Sequence, residues 1–249
     1  MQNDFAVPSS LPKIPGFGSV AKYVAVSIRE ATFDVASMFS SSTKIFILEV
    51  MGRHAGWIAA ASGLAHEKES DGPHIILFPE ILLDEEAFLK QVKAVTEKIG
   101  FCSIVVSEGV RNQKGEFLSE SGSRDAFGHA QLGGVAPIIA NLIKDKLEYK
   151  YHWAVSDYLQ RSARHIASKI DVEQSYALGK AAVEFAVSGK NAVMPIIVRE
   201  SSKPYRWTIG EVALEKVANV EKKMPQDFIS ANGFHITEKY SHSEKMPRI

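Results

Sequence analysis

An arginine and a glutamate each follow a run of apolar residues that predicts a buried strand. The run Lys44–Val50 is dense in β-branched side chains and leads into Arg53, and the run Ser103–Ser107 leads into Glu108. Open α/β sheets bind ligands at the carboxyl ends of their parallel strands. An arginine fork suits a phosphate or a carboxylate, and a carboxylate accepts hydrogen bonds from hydroxyl groups. The pair therefore indicates a site for a polyhydroxylated phosphate ester.

The same residues also allow a structural interpretation. In that alternative, Arg53 pairs with a surface carboxylate or with Glu108 itself, and no ligand is involved. Gly52, between Met51 and Arg53, favours a ligand because a glycine lets a bound molecule approach the backbone closely. His54 is expected to pack beside the site, since the eight histidines show no metal-ligand spacing.

A third polar group lies in the segment Ser156–Arg164, directly after a predicted strand. Tyr158 and Arg161 are three residues apart and would share one face if the segment opens a helix. Gln160 lies between them. The structural alternative here is a polar helix start without a ligand.

Apolar runs and helical periodicities alternate along the chain, which is the pattern of βαβ units. We predict strands at 44–50, 74–79, 103–107, 149–155 and 192–198, and helices at 20–36, 55–65, 84–98, 136–147 and 171–187. The expected fold is α/β, with a mostly parallel sheet and helices on both faces. The polar stretch Arg111–Gly134 is expected to be an irregular loop with a role in function or in oligomer contacts. No change in composition marks a domain boundary.

Composition excludes several classes of function. The 249 residues carry 29 basic and 29 acidic side chains, so no net field would attract nucleic acid or an anionic membrane. No apolar segment is long enough to span a bilayer, and no signal peptide is visible. The single cysteine, Cys102, fits a reducing compartment and core packing. A cytoplasmic protein is expected, and the short basic segments Lys222–Pro225 and Lys245–Arg248 are expected to be solvated.

Several of these motifs resemble one family. Met51-Gly52-Arg53-His54-Ala55-Gly56-Trp57 resembles the Met-Gly-Arg segment of the phosphofructokinase family, in particular its pyrophosphate-dependent branch. The segment Tyr158-Leu159-Gln160-Arg161 and the run Arg124–Gly134 are similar to that branch as well, and the pair Glu108-Gly109 resembles the family in general. The resemblance extends from about Pro15 to Ile229.

The resemblance implies a phosphofructokinase-like fold with Rossmann-like layers and a pocket for fructose 6-phosphate. The residues that it places at this pocket are Met51, Gly52, Arg53, Glu108, Tyr158, Leu159, Gln160 and Arg161. It also implies that His152 and Arg124 support the pocket or reach it across a subunit boundary in a homo-oligomer. For His152, the alternative is a half-buried structural histidine.

The family's phosphoryl-donor portion is not visible in this sequence. There is no Gly-Gly-Asp loop for the donor and no Gly-Asp-Asp for Mg²⁺. Gln2 stands where the family has its catalytic aspartate, and an amide cannot act as a general base. Asp4 is the remaining candidate, and residues 1–14 match the family poorly.

We therefore expect residues 1–249 to form the sugar-phosphate-binding portion of such an enzyme, with no intact catalytic residue and no activity alone. The full reaction, a step of glycolysis, would move a phosphoryl group from pyrophosphate to O1 of fructose 6-phosphate with Mg²⁺. One alternative is a non-catalytic sugar-phosphate-binding or regulatory subunit that binds a full-length paralogue. The other is an ATP-dependent 6-phosphofructokinase.

Overall fold

The computed structural model describes residues 16–124, 130–132 and 134–241. Its strands are β1 (Ile45–Val50), β2 (Ile75–Leu77), β3 (Cys102–Ser107), β4 (Glu120–Arg124), β5 (Ala130–Leu132), β6 (Tyr151–Val155), β7 (Val193–Ser202) and β8 (Tyr205–Ala213). Its helices are α1 (Phe17–Met38), α2 (Trp57–Ser62), α3 (Glu85–Ile99), α4 (Val135–Leu147), α5 (Leu159–Ser162), α6 (Lys169–Val187) and α7 (Glu238–Ser241). Gln2 and Asp4 lie outside the described residues.

Four strands form a parallel sheet in the order β2-β3-β1-β6. In the register of this sheet, Val50 lies beside Ser107, and Glu49 lies beside Val155. The strands β1, β3 and β6 therefore end next to one another at the same edge. This order brings together the three segments that the sequence marked as sites.

Helices cover both faces of the sheet. The side chains of Leu48 and Val50 pack with α1 and α2 on one face, and those of Ile45 and Ile47 pack with α3 and α4 on the other. Because β1 is apolar on both sides, it can lie between the two helical layers. The predicted α/β fold, with a mostly parallel sheet and helices on both faces, is confirmed.

One prediction about secondary structure was wrong. The stretch Arg111–Gly134 contains the antiparallel strands β4 and β5 rather than only irregular loop. The strand predicted at 192–198 is present as β7, but it forms a separate antiparallel pair with β8 instead of joining the parallel sheet. The apolar run of β7 is typical of a strand in a parallel sheet, and the sequence analysis predicts no strand at the position of β8.

In the described residues, no helix has both the length and the apolar character that crossing a membrane would require.

Candidate binding site at the carboxyl edge of the sheet

The loop after β1 needs a glycine at its second position. Gly52 has a φ angle of +147°, and a Cβ there would lie 2.7 Å from Oγ of Ser107 and 2.9 Å from the backbone oxygen of Ala55. The Ser107 hydroxyl also donates a hydrogen bond to the Gly52 carbonyl at 2.6 Å. These contacts hold the loop Met51–Gly56 against the end of β3.

The loop after β3 makes backbone contact with the same segment. A Cβ on Gly109 would lie 1.9 Å from the carbonyl oxygen of Arg53, so only glycine fits at this position. The backbone N–H of Glu108 donates to the Val50 carbonyl at 3.0 Å. Its carboxylate accepts a hydrogen bond from the Gly52 N–H at 3.2 Å. The backbone and side chain of Glu108 thus fix the direction of the arginine loop.

Arg53 carries an unsatisfied donor at this edge. Its Nε atom is buried and has no hydrogen-bond partner among the described residues. A buried donor without a partner costs roughly 1–3 kcal/mol, so the geometry favours an acceptor supplied by a bound molecule. Glu108 directs its carboxylate to Gly52 rather than to Arg53. The structural alternative, a hydrogen-bonded ion pair between the two residues, is not formed.

The charge of Glu108 is set by opposing effects. Burial raises the pKa of its carboxyl above the ordinary value, whereas the Gly52 hydrogen bond and the Arg53 guanidinium act in the opposite direction. Glu49 and Asp157 add to the rise through repulsion between like charges. The Glu108 carboxyl is therefore easier to protonate than an exposed glutamate.

The segment after β6 is the third part of the carboxyl edge of the sheet, beside the loops after β1 and β3. The N–H of Ser156 donates to the Glu49 carbonyl at 2.9 Å. Gln160 is only 1% exposed, and its Oε1 accepts from the Met51 N–H at 3.3 Å while its Nε2 donates to the Asp157 carbonyl at 2.8 Å. Both ends of the amide are thus engaged by the backbone. Gln160 joins the arginine loop to the turn that carries Tyr158.

Three side chains of this turn face solvent. Tyr158 is 57% exposed and Leu159 is 62% exposed. The guanidinium carbon of Arg161 lies 4.3 Å from the centre of the Tyr158 ring. This cation–π contact brings a cation and a hydroxyl-bearing ring together beside the edge.

The structure does not bring His152 to this cluster. His152 lies opposite Phe46 in the sheet, about 13 Å along the strand from Ser156 at ~3.3 Å per residue. It is exposed rather than half-buried, because β6 is an edge strand of the parallel sheet. Arg124 is the last residue of β4.

Two buried glutamates that the sequence analysis did not single out support the site. Glu49, 2% exposed, accepts hydrogen bonds from the N–H groups of Gly134 and Ala136 at 3.0 and 2.8 Å, at the start of α4. Glu80 accepts from the N–H groups of Gly56 and Met224 at 2.9 and 3.1 Å. Burial raises the pKa of both carboxyls. In the sequence, Glu49 could have been recognised as the charged residue inside the apolar run of β1.

The segment Glu221–Met224 packs against the arginine loop. Nδ1 of His54 lies 2.6 Å from a carboxylate oxygen of Glu221, and Nε1 of Trp57 donates to the Lys222 carbonyl at 2.8 Å. The prediction that Lys222–Pro225 is merely solvated was therefore wrong, since Met224 is 2% exposed. The contacts that hold this segment join residues far apart in the chain, so local sequence did not reveal them.

Cys102 is fully buried in β3, where burial raises the pKa of its thiol. Its role is packing, as predicted. Within the described ranges, no group of three or more histidine, cysteine, aspartate or glutamate side chains could hold a metal ion.

The parallel sheet defines an α/β protein, and an arginine with a buried, unpartnered Nε among the described residues lies at the edge where β1, β3 and β6 end. A sequence model of the family described as Phosphofructokinase matches residues 11–186. The chain belongs to the phosphofructokinase family.

Two named relatives and one crystal structure show in more detail which proteins this chain is similar to. The chain is 66% identical to a pyrophosphate–fructose 6-phosphate 1-phosphotransferase of Methylococcus capsulatus, over 90% of this chain and 53% of that protein. It is 55% identical to a protein of the same name from Xanthomonas campestris, over 96% of this chain and 57% of the relative. The crystal structure of a pyrophosphate-dependent phosphofructokinase from Nitrosospira multiformis matches with a TM-score of 0.82 and 54% identity, over 98% of this chain and 57% of that one. The chain thus spans little more than half the length of these relatives.

Proposed function

We propose that this chain binds fructose 6-phosphate and supplies that pocket for phosphoryl transfer from pyrophosphate to O1 of the sugar, a step of glycolysis that gives fructose 1,6-bisphosphate. The observation that carries the proposal is the buried Nε of Arg53, which lacks a partner among the described residues at the carboxyl edge of the sheet. The names of the relatives from Methylococcus capsulatus and Xanthomonas campestris support the choice of sugar and donor.

Each residue at the edge has a chemical role in this proposal. Arg53 and Arg161 bind the phosphate, because a guanidinium provides several charge-assisted donors. Glu108 accepts hydrogen bonds from sugar hydroxyls, and its raised pKa also allows a protonated form that donates one. Tyr158 offers its phenol at the rim, next to Leu159.

Three further residues shape the pocket through the backbone. Met51 and Gly52 line the pocket with their backbone. Gln160 holds Met51 in place through its side-chain amide. Gln160 therefore has a supporting role in positioning the pocket, because both ends of its amide are hydrogen-bonded to the backbone.

Mg²⁺ is the ion that the resemblance implies, and the described residues do not fit it. The buried carboxylates beside the site, those of Glu49, Glu80 and Glu108, accept hydrogen bonds from backbone amides. A magnesium ion needs free oxygen ligands in near-octahedral geometry.

The proposal extends to assembly and location. A homo-oligomer is supported by the edge strand β6, where His152 is exposed and Trp153 is 45% exposed. There, His152 would contact a neighbouring subunit instead of the pocket of its own chain. A cytoplasmic location is supported by the single buried cysteine.

Calorimetric titration with fructose 6-phosphate tests the proposal directly. Arg53→Ala should weaken binding by about 10- to 100-fold, because a hydrogen bond to a charged group contributes roughly 1.5–3 kcal/mol. Arg206→Ala is the matched control, since Arg206 is an exposed arginine on β8 and should leave binding unchanged. Absence of binding by the folded wild-type chain, or equal binding by Arg53→Ala, would overturn the proposal.

A second assay tests the expected inactivity of the chain alone and the identity of the phosphoryl donor. The purified chain is incubated with fructose 6-phosphate, Mg²⁺ and either pyrophosphate or ATP, and fructose 1,6-bisphosphate is measured. We expect binding without product from the chain alone. Product formed with pyrophosphate would contradict the expected inactivity, and product formed only with ATP would contradict the proposed donor.

A further inference from the structure

Glu49 is a buried carboxylate in β1, an inner strand of the parallel sheet that is otherwise apolar. Alternation along the strand places its side chain on the same face as Ile45 and Ile47, which pack with α3 and α4. Only 2% of Glu49 is exposed. An ionised carboxylate in such a position is costly unless hydrogen-bond donors surround it.

The start of helix α4 provides these donors. One carboxylate oxygen of Glu49 accepts from the Gly134 N–H at 3.0 Å, and the other accepts from the Ala136 N–H at 2.8 Å. Gly134 is the N-cap residue and has no side chain to cap the helix, and the first turn of α4 contains no acidic residue. Glu49, 85 positions before Gly134, therefore supplies the negative charge that a helix N-terminus favours.

The main chain beside Glu49 contacts the carboxyl-edge site. The Glu49 carbonyl accepts from the Ser156 N–H, at the start of the turn that carries Tyr158. The next residue, Val50, accepts from the Glu108 N–H. Glu49 thus lies where the start of α4, the Tyr158 turn and the loop after β3 meet.

The charge of Glu49 also acts on the side chain of Glu108. The groups that face the Glu108 carboxyl are the Gly52 N–H, the Arg53 guanidinium and the carboxylates of Glu49 and Asp157. Burial is the largest cause of the raised pKa of Glu108; the Gly52 hydrogen bond and Arg53 oppose the rise, and the two carboxylates add to it. A negative charge on Glu49 therefore favours the protonated form of Glu108.

The protonation of Glu108 decides what it can offer to a bound sugar. An ionised carboxylate only accepts hydrogen bonds, whereas a protonated carboxyl also donates one. Burial raises the pKa of Glu49 itself, and the N–H groups at the start of α4 oppose that rise. Helix α4 therefore stabilises the charged form of Glu49, and that charge in turn acts on Glu108.

We propose that Glu49 is a positioning residue of the carboxyl-edge site: its carboxylate fixes the start of α4, and its charge governs whether Glu108 accepts or donates a hydrogen bond towards a bound hydroxyl group. Glu49 acts through Glu108, because both of its own oxygens are engaged by α4. The inference rests on the proposed function in one respect, since a sugar hydroxyl is the group that Glu108 would contact.

Two measurements without ligand test this role. Carbon-13 NMR of the glutamate carboxyls follows the titration of Glu108, and amide hydrogen exchange follows the start of α4. Glu49→Gln should lower the pKa of Glu108, because a like charge is removed. It should also speed exchange of the Gly134 or the Ala136 amide by about 10- to 100-fold, because glutamine has only one acceptor and the hydrogen bond to a charged group is lost.

Asp157→Asn separates the effect of charge from the effect on the helix. It removes the other like charge beside Glu108, so it should lower the pKa of Glu108 and leave exchange at the start of α4 unchanged. Asparagine also tolerates the left-handed backbone of Asp157, which has a φ angle of +37°. Glu30→Gln, at an exposed glutamate on α1, is the matched control and should change neither measurement.

The two measurements on Glu49→Gln decide the proposal. A lowered pKa of Glu108 together with faster exchange in α4 supports it. Faster exchange with an unchanged pKa of Glu108 would overturn it, because Glu49 would then only hold the helix. If Glu49→Gln does not fold, the wild type gives the answer: the Glu108 resonance should show a second titration step at the pKa of Glu49, and a single step would overturn the proposal.

Binding of fructose 6-phosphate is measured separately. In Glu49→Gln, the pH dependence of the affinity that arises from Glu108 should move to lower pH, and an unchanged pH dependence would count against the proposal. Absence of binding by the folded wild type, with both effects of Glu49→Gln present, would overturn the proposed sugar and would leave the action of Glu49 on Glu108 supported.

Discussion

Gln160 accepts a hydrogen bond from the backbone N–H of Met51 at 3.3 Å, although the two residues are 109 positions apart. The other end of the Gln160 amide donates to the Asp157 carbonyl at 2.8 Å. One buried side chain thus connects the arginine loop after β1 with the Tyr158 turn after β6. The two halves of the proposed phosphate site are held at a fixed separation by this amide.

Replacing Gln160 with leucine should loosen both the arginine loop after β1 and the Tyr158 turn after β6. Gln160→Leu leaves the Met51 N–H and the Asp157 carbonyl without their partner, which should lower the free energy of unfolding by about 1–3 kcal/mol. It should also weaken fructose 6-phosphate binding, measured by calorimetry at a temperature where the variant is folded. Gln226→Leu, at an exposed glutamine, is the control. A variant that loses stability but keeps full affinity would show that Gln160 does not position the site.

Gly109 provides a second test of the same architecture. A Cβ at this position would lie 1.9 Å from the Arg53 carbonyl oxygen, so the backbone of the arginine loop must move in Gly109→Ala. We expect a loss of about 1–3 kcal/mol in unfolding free energy, as for other overpacked substitutions, together with weaker sugar-phosphate binding.

The control for Gly109→Ala is Gly179→Ala in helix α6. A Cβ at Gly179 meets no atom within 4 Å. The helical position favours alanine by about 0.5–1 kcal/mol, so this variant should be slightly more stable than wild type. Chemical denaturation measures both variants. Equal stability of the two would contradict the close approach of the β1 and β3 loops.

The strands that carry the site were predictable because each is a short apolar run that ends at polar residues. The runs before Arg53 and Glu108 became β1 and β3, and the rule that parallel strands bind ligands at their carboxyl ends predicted the edge. The order of the strands was not predictable from these runs. It depends on which helical faces pack together, and that order alone places the Tyr158 turn beside β1 rather than beside β3.

The supporting contacts were harder to predict. Glu80 follows a predicted strand like many surface glutamates, and nothing near it in the sequence shows that its carboxylate binds Met224, 144 positions away. The segment Glu221–Met224 has a basic, polar composition, so its packing against Trp57 is visible only in three dimensions. Local patterns thus predicted which residues lie at the edge, but not what holds them there.

The role of Glu80 can be tested by removing its carboxylate. Glu80→Ala leaves the N–H groups of Gly56 and Met224 without their acceptor, which should detach Glu221–Met224 from the arginine loop. Hydrogen exchange followed by mass spectrometry should show faster exchange in both segments and unchanged exchange in β3. Glu116→Ala, at an exposed glutamate, is the control. Unchanged protection of Met224 in Glu80→Ala would contradict this role.

Three histidines near the start of β2 predict a loss of stability in mild acid. The rings of His66 and His235 lie 4.9 Å apart, and those of His66 and His74 lie 6.5 Å apart. His74 accepts a hydrogen bond from the Ser103 N–H at 2.9 Å, and its Nε2 is buried without a partner among the described residues. Burial, with a smaller contribution from His66, lowers the pKa of His74 from 6.5 to about 4. Burial also lowers the pKa of His235.

The lowered pKa of His74 determines whether stability rises or falls with pH. Between pH 6.5 and about 4 the unfolded chain binds a proton at His74 and the folded chain does not. The contribution of His74 to stability is therefore complete above pH 6.5 and is lost as the pH falls towards 4. At ~1.4 kcal/mol per pKa unit, this loss amounts to about 3 kcal/mol.

His74→Asn keeps an acceptor for the Ser103 N–H but cannot take up the proton. Urea unfolding at pH 7.5 and pH 4.5 should show a drop in stability that is smaller by roughly this amount in His74→Asn than in wild type, whereas the exposed-site control His152→Asn should behave as wild type. Equal drops in His74→Asn and wild type would show that His74 has the same pKa in the folded and the unfolded chain.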